Sequence, residues 1–220
     1  MTSPTQNVLI AAVGGQGALL AARVIGRYAV GRGLEVKVSE IHGISQRGGS
    51  VVTHVRFGPR VHSPVIERGA ADTLIAFEML EALRHLPALR PGGTLIVNTQ
   101  QIPPLPVSIG AASYPDGLEQ AFASRDLTAV QVDGRALALK AGNEKAVNVV
   151  LLGVYAGRMG CDQESWLPAL EASVPPKHLA TNMAAFAEGL AAAAAPSRPP
   201  EAHPNGTPGA GGRAVRVEER

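Results

Sequence analysis

Two polar, glycine-rich stretches hold most of the residues able to do chemistry. Gly14-Gly15-Gln16-Gly17 follows an apolar run, and Glu40 to Ser50 follows an alternating one. Glycines at the first stretch permit positive φ and close backbone approach. A helix beginning there would aim its free N–H groups, and the positive end of its dipole, at a ligand above the turn. The second stretch gathers a carboxylate (Glu40), an imidazole (His42), hydroxyls (Ser45, Ser50), an amide (Gln46) and a guanidinium (Arg47) around Gly48 and Gly49. Glu40, His42, Arg47 and Arg56 together could work as acids and bases. The plainer alternative for His42 is an exposed or structurally bonded loop histidine.

Several chemistries are excluded. A P-loop is ruled out, because Gly17 is followed by Ala18-Leu19, not by the phosphate-binding Lys and metal-binding Ser or Thr. A dinucleotide fingerprint survives in degraded form. Glu40 falls at the end of a second strand, where the ribose-binding acid belongs, but Ala12 occupies the first glycine position. A tight turn without a ligand is the third reading, and Gln16 counts against it, since a plain turn needs no side-chain amide. No serine or cysteine is set beside a base as a covalent nucleophile. No His/Cys/Asp group has metal-ligand spacing, and the Gly-Asp-Gly…Asn pattern that holds thiamine diphosphate magnesium is missing. Glu78 either lines the same crevice or starts a helix, where the dipole favours a carboxylate. Asn148 and Asn182 lie in apolar helical stretches and are expected to be buried and hydrogen-bonded.

The elements that must position these groups can be read in order. Val8–Val13 is a buried strand, and residues 18–32 show an apolar face at helical spacing, closed by Gly31 and Gly33. Strand two is expected over 35–40 and strand three over 50–57, with a return strand in 60–69. A further strand over 71–78 leads to a helix over 79–90, stopped by Pro91-Gly92-Gly93. Thr94–Asn98 is another strand. Residues 99–115 form a proline-rich connection with a short strand near Val107. A helix over 116–124 and a last strand over 127–132 precede a helical part that begins near Asn143, with helices over 163–173 and 178–194. Strands alternating with helices define an α/β fold, Rossmann-like, with a mainly parallel sheet and flanking helices. In such a sheet both glycine turns would lie at the carboxyl ends of neighbouring strands, where ligands bind. Residues 1–195 read as one domain. Residues 196–220, rich in Pro, Gly and Ala, read as a disordered tail.

At 220 residues and 45% hydrophobic the chain can bury one good core, built from aliphatic residues because aromatics are 4%. A net charge of +2 without a basic block argues against nucleic acid. Cys161 is the single cysteine, so the chain cannot ligate an iron–sulfur cluster, which takes about four. No signal peptide or membrane-spanning run is visible, and a cytoplasmic location is expected.

Residues 13–23, 38–58 and 71–78 together resemble the gamma-type domain of the 2-oxoacid:ferredoxin oxidoreductases, closest to the indolepyruvate-specific group. Gly142–Gly153 and Asn182–Phe186 are also similar, so the resemblance spans about residues 7–190. The pairing of Gly-Gly-Gln-Gly with Ser-Gln-Arg-Gly-Gly is its specific part. The chain departs at Ala12, where the family carries glycine, and a methyl group there is expected to crowd the turn. The resemblance implies oxidative decarboxylation of a 2-oxoacid to an acyl-CoA, with electrons passed to ferredoxin. It also implies a large alpha subunit that holds thiamine diphosphate, magnesium and the iron–sulfur clusters. This chain would complete the cleft for coenzyme A or substrate, with Arg47 as a charge-assisted donor. A stand-alone Rossmann-like dehydrogenase, and a scaffolding subunit with an empty crevice, are the alternatives.

Overall fold

The computed structural model describes residues 5–42 and 49–194, except the side chain of His42. Six strands form one sheet: β1 (Gln6–Val13), β2 (Glu35–His42), β3 (Ser50–Gly58), β4 (Ala71–Ala76), β5 (Leu89–Asn98) and β6 (Thr128–Val132), in the spatial order β2-β3-β1-β4-β5-β6. The helices are α1 (Ala18–Gly31), α2 (Met79–His85), α3 (Leu105–Ser108), α4 (Leu118–Ala123), α5 (Gly134–Lys140), α6 (Val147–Arg158), α7 (Leu167–Glu171) and α8 (Pro176–Ala194).

β1 is central because its residues are apolar on both faces. Val8, Ile10 and Ala12 face one core with α1, α6 and α8, and Leu9 and Ala11 face another with α2 and α4. β1, β4, β5 and β6 pair in parallel, as the α/β reading requires. β3 runs antiparallel to both of its neighbours and lies between β1 and β2. The two glycine-rich stretches therefore start from strands separated by β3, not from adjacent ones. The register Val13↔Ser50 and His42↔Val51 still brings both strand ends to the same end of the sheet.

The first core is organised around Trp166, which is fully buried. It stacks on Tyr28 at 3.9 Å, with an interplanar angle of 7°, and meets Tyr155 edge-on and Phe186 at a tilt. With so few aromatics in the chain, concentrating these four in one cluster supplies the bulk that small residues cannot.

Four sequence expectations are corrected. Residues 60–69 contain no strand; the segment is held instead by the Arg56 guanidinium, which donates to the Ser63 and Val65 carbonyls. The helix expected over 79–90 ends at His85, followed by a 3-10 turn, and Pro91-Gly92-Gly93 lies inside β5. A bulge there shifts the β4–β5 register, and a side chain on Gly93 would sit 2.9 Å from the Arg90 carbonyl, so glycine marks a close approach within a strand. Residues near Val107 form the short helix α3, not a strand. The helical part begins at Gly134, with α5, rather than near Asn143. The expected tail lies outside the described residues.

Helices α6 and α8 cross in backbone contact. A methyl group on Gly153 would lie 2.1 Å from the Phe186 carbonyl oxygen, and one on Gly189 would lie 2.0 Å from that of Val150. No rotamer change can relieve a clash with backbone, so the helices would have to separate. Gly153→Ala and Gly189→Ala are each expected to destabilise the protein by about 3 kcal/mol, read from the denaturant midpoint. Gly160→Ala, with open space around it but a positive φ, is expected to cost less.

Candidate functional site

The site is built on the turn that ends β1. The Gly14 N–H donates to the Gly49 carbonyl at 2.9 Å, which ties the first glycine stretch to the end of the second. Gly15 and Gly17 have φ of 97° and 87°, a conformation that side-chain-bearing residues rarely adopt. Gly17 is the N-cap of α1, and no side chain caps that helix. A cleft of about 350 Å³ opens above the turn, lined by Gly14, Gly15, Gln16, Gly17, Leu19 and Glu40.

The Gln16 amide does structural work at both ends. Its Oε1 accepts from the Val13 N–H at 2.8 Å, and its Nε2 donates to the Phe77 carbonyl at 3.1 Å. That carbonyl also accepts from Asn98 Nδ2 at 3.0 Å, and Asn98 Oδ1 accepts from the Gly134 N–H. One network therefore joins the ends of β1, β4 and β5 and the start of α5. Gln16 thus has a reason to stand among glycines without any ligand, and the sequence argument that it opposes a plain turn is withdrawn. Asn148 is buried, as expected, and reaches the turn: its Nδ2 donates to the Gly17 carbonyl at 3.4 Å. A Cβ on Gly17 would lie 2.6 Å from that nitrogen. Asn182 donates to the His178 carbonyl within its own helix.

Of the sequence-predicted residues, Gly14, Gly15, Gln16, Gly17 and Glu40 are brought together. Gly49 joins them through its carbonyl. Ser50 turns elsewhere, toward Glu81. His42 ends β2 opposite Val51; its side chain and residues 43–48, with Ser45, Gln46, Arg47 and Gly48, lie outside the described residues. Arg56 does not join the group: its Nε donates to Asn7 Oδ1, near the opposite end of β1. Ala12 does not crowd the turn, because its methyl is buried in the core shared with α1. Glu78 does not line the glycine-turn cleft. It caps α2 through the Glu81 N–H and holds the proline-rich segment through the Ile102 N–H and the Tyr114 hydroxyl.

Sequence reasoning missed Glu81 and His85. Glu81 is buried and receives the Ser50 hydroxyl, the Arg84 guanidinium and, at 3.6 Å, His85 Nε2. Burial raises its pKa, but His85, Ser50 and Arg84 outweigh this and leave it lowered. Ser50 Oγ also lies 3.3 Å from His85 Nε2, but it donates its proton to the Glu81 carboxylate and not to the imidazole. The cluster therefore anchors the start of β3 and does not activate a nucleophile. The i,i+4 spacing of Glu81 and His85 was the one visible signal. On β3, His54 is buried and its Nδ1 accepts from the Ile66 N–H; burial, then the nearby His85, lowers its pKa.

The insertion of β3 also bears on the dinucleotide reading. With strands about 5 Å apart, Glu40 stands roughly 10 Å to the side of β1, twice the offset of a ribose-binding acid on an adjacent strand. Its carboxylate instead accepts a long contact, 3.5 Å, from Thr53 Oγ1. Among the described residues no group of three or more His, Cys, Asp or Glu is placed to hold a metal ion. No helix among them is long and apolar enough to cross a membrane. Cys161 lies 3.1 Å from the Tyr28 hydroxyl, and as the single cysteine of the sequence it cannot supply the roughly four thiolates that an iron–sulfur cluster takes.

This is an α/β subunit fold with a glycine-turn cleft, and it is shared with solved oxidoreductase subunits. A keto/oxoacid ferredoxin oxidoreductase gamma subunit from Geobacter sulfurreducens superposes with a TM-score of 0.65 at 21% identity, over 86% of this chain and 98% of that one. A 2-oxoglutarate:ferredoxin oxidoreductase from Magnetococcus marinus gives 0.66 at 17% identity, over 90% of this chain but 32% of that one. Residues 7–192 match the family model for pyruvate ferredoxin/flavodoxin oxidoreductase. The indolepyruvate oxidoreductase subunit IorB of Thermococcus kodakarensis is 40% identical over 195 residues, 85% of this chain and 95% of that protein. The chain belongs to the pyruvate ferredoxin/flavodoxin oxidoreductase family and is a small subunit of the 2-oxoacid:ferredoxin oxidoreductase class.

Two outcomes follow from this geometry. Gln16→Glu keeps the acceptor for Val13 but loses the donor to Phe77. It is expected to cost about 1–3 kcal/mol in the denaturant midpoint. Glu81 and His54 both have lowered pKa values in the folded state, so each contributes stability above its ordinary value that is lost on acidification. Stability should fall below pH 6.5 as His54 protonates and again below pH 4.5 as Glu81 does. Ser50→Ala, by raising the Glu81 pKa, should flatten only the second fall in a pH series of chemical denaturations.

Proposed function

We propose that the chain is the small subunit of an indolepyruvate:ferredoxin oxidoreductase. With coenzyme A, the assembled enzyme would cleave indolepyruvate to indoleacetyl-CoA and CO2 and pass the electron pair to ferredoxin. The observation that carries this reading is the 40% identity to an indolepyruvate oxidoreductase subunit over 95% of that protein's length. A large partner subunit would hold thiamine diphosphate, magnesium and the iron–sulfur clusters, which supply the carbon–carbon cleavage and the electron path. This chain's one cysteine supports that division of labour.

The chain's own task is proposed to be coenzyme A placement. The uncapped start of α1 offers N–H donors to an anionic group, and the helix dipole favours negative charge there. Gly15 has nothing within 4 Å of where a side chain would begin, so a ligand can approach its backbone. Leu19, half exposed at the rim, is suited to the apolar part of such a ligand. Arg47, close in sequence to His42, Ser45, Gln46 and Gly48, is the proposed charged clamp.

The test is co-purification with the large subunit. An assay with indolepyruvate, coenzyme A and a low-potential dye would follow. Dye reduction is expected only from the assembled pair, with aryl pyruvates preferred. Gly15→Val and Arg47→Ala should each raise the KM for coenzyme A about tenfold while leaving that for indolepyruvate unchanged. If the chain alone binds a nicotinamide or flavin nucleotide tightly, or both variants keep the wild-type KM for coenzyme A, this assignment is wrong.

A further inference from the structure

A second and larger cleft, about 570 Å³, opens at the opposite end of the sheet, beneath the amino ends of β1 and β4. That volume lies in the usual range for small-molecule sites. It shares no lining residue with the glycine-turn cleft.

Its charged groups are mostly donors. Three guanidiniums, Arg32, Arg90 and Arg158, face a single carboxylate, Asp72. Asp72 is already satisfied by Arg90 Nε at 2.8 Å and by the Asn7 N–H at 2.8 Å. Arg32 bonds the Tyr28 hydroxyl at 3.1 Å and lies over its ring. Arg158, in the last turn of α6, has no protein partner among the described residues. The cleft therefore carries uncompensated positive charge.

Tyr155 adds the decisive feature. The residue is fully buried, lines this cleft, and its hydroxyl has no hydrogen-bond partner. Leaving such a donor unsatisfied costs about 1–3 kcal/mol, so it needs either an acceptor or a reason to be kept. Burial, followed by Asp72, Cys161 and Tyr28, raises its pKa, and burial with Cys161 raises that of Tyr28 to about 12. Both phenols are therefore protonated donors at neutral pH. Beside Thr5, Gln6, Thr73 and Thr94, the wall carries an apolar part made of Leu34, Phe57 and Met159. A bare inorganic anion would leave that wall unused.

We infer that this cleft binds a small organic carboxylate with an apolar body, its carboxylate held by Arg158 and the Tyr155 hydroxyl. The planar fork of arginine suits a carboxylate, and the phenol supplies a further donor from the floor. The assignment is independent of the coenzyme A reading and would stand if that reading failed.

Calorimetric titration of the full-length chain tests it, with 3-phenylpropionate, its neutral amide and inorganic phosphate as probes. The carboxylate is expected to bind at least about tenfold more tightly than the amide or phosphate. Arg158→Ala, at an exposed position, should weaken it by about tenfold with the denaturant midpoint held within a small margin, and Tyr155→Phe by several-fold. Glu40→Gln, in the other cleft, should leave it unchanged. The proposal is overturned if the carboxylate does not bind, if phosphate binds as well, or if the affinity survives Arg158→Ala. Unchanged affinity in Tyr155→Phe, with a raised denaturant midpoint, would reduce that hydroxyl to a packing defect and overturn its role.

Discussion

The carbonyl oxygen of Phe77 accepts hydrogen bonds from two side-chain amides, one from each side. Gln16 reaches it from the turn after β1, and Asn98 reaches it from the end of β5. Parallel strands leave their last carbonyls and amides without ladder partners at the point where a ligand cleft must open. Here those groups are satisfied by amides, which present a donor and an acceptor on one planar head. Gln16 spends its acceptor on Val13, and Asn98 spends its own on Gly134. Three strand ends and a helix start are thereby locked with no charge buried. The glycine turn can be open because its surroundings are fixed.

Much of this was legible in residues 7–33. A short apolar run, clustered glycines and a helical apolar face leave few alternatives, and the elements lie where the pattern puts them. Pro91-Gly92-Gly93 misled because such a tripeptide ordinarily stops a helix. Here the same residues serve a bulge, where the strand's own Arg90 carbonyl comes too close for a side chain on Gly93. The direction of β3 was invisible as well, since alternation of β-branched residues says nothing of which neighbour a strand runs against. The candidate site divides in the same way. Glycines that need positive φ announce themselves. The bond between Ser50 and Glu81 joins residues 31 positions apart and leaves no local trace. Gln16 stood out by its oddity among glycines, but its bonds to Val13 and to Phe77, 61 positions away, left no trace in the sequence.

The two ends of the sheet are chemically unlike. The carboxyl end presents backbone donors of a glycine turn, with a carboxylate at its rim. The amino end presents arginines and phenols over a floor that contains an unpaired hydroxyl. Among the described residues the subunit places no group of three or more metal-ligating side chains together. Its one thiol is spent in a contact with a tyrosine. Both clefts are proposed to recognise anions, one with backbone N–H groups and the other with guanidiniums.

β2 lies at the rim of the sheet, paired on one side only. Its outward backbone groups and the exposed Val38 and Ile41 form a surface on which a second unfinished chain could add a strand. Glu35, Lys37 and Glu40 interrupt that surface at intervals along the strand. Charges so placed resist strand-on-strand stacking of newly made copies before assembly. For production of this subunit on its own, those charges guard the soluble yield against crowding by identical chains.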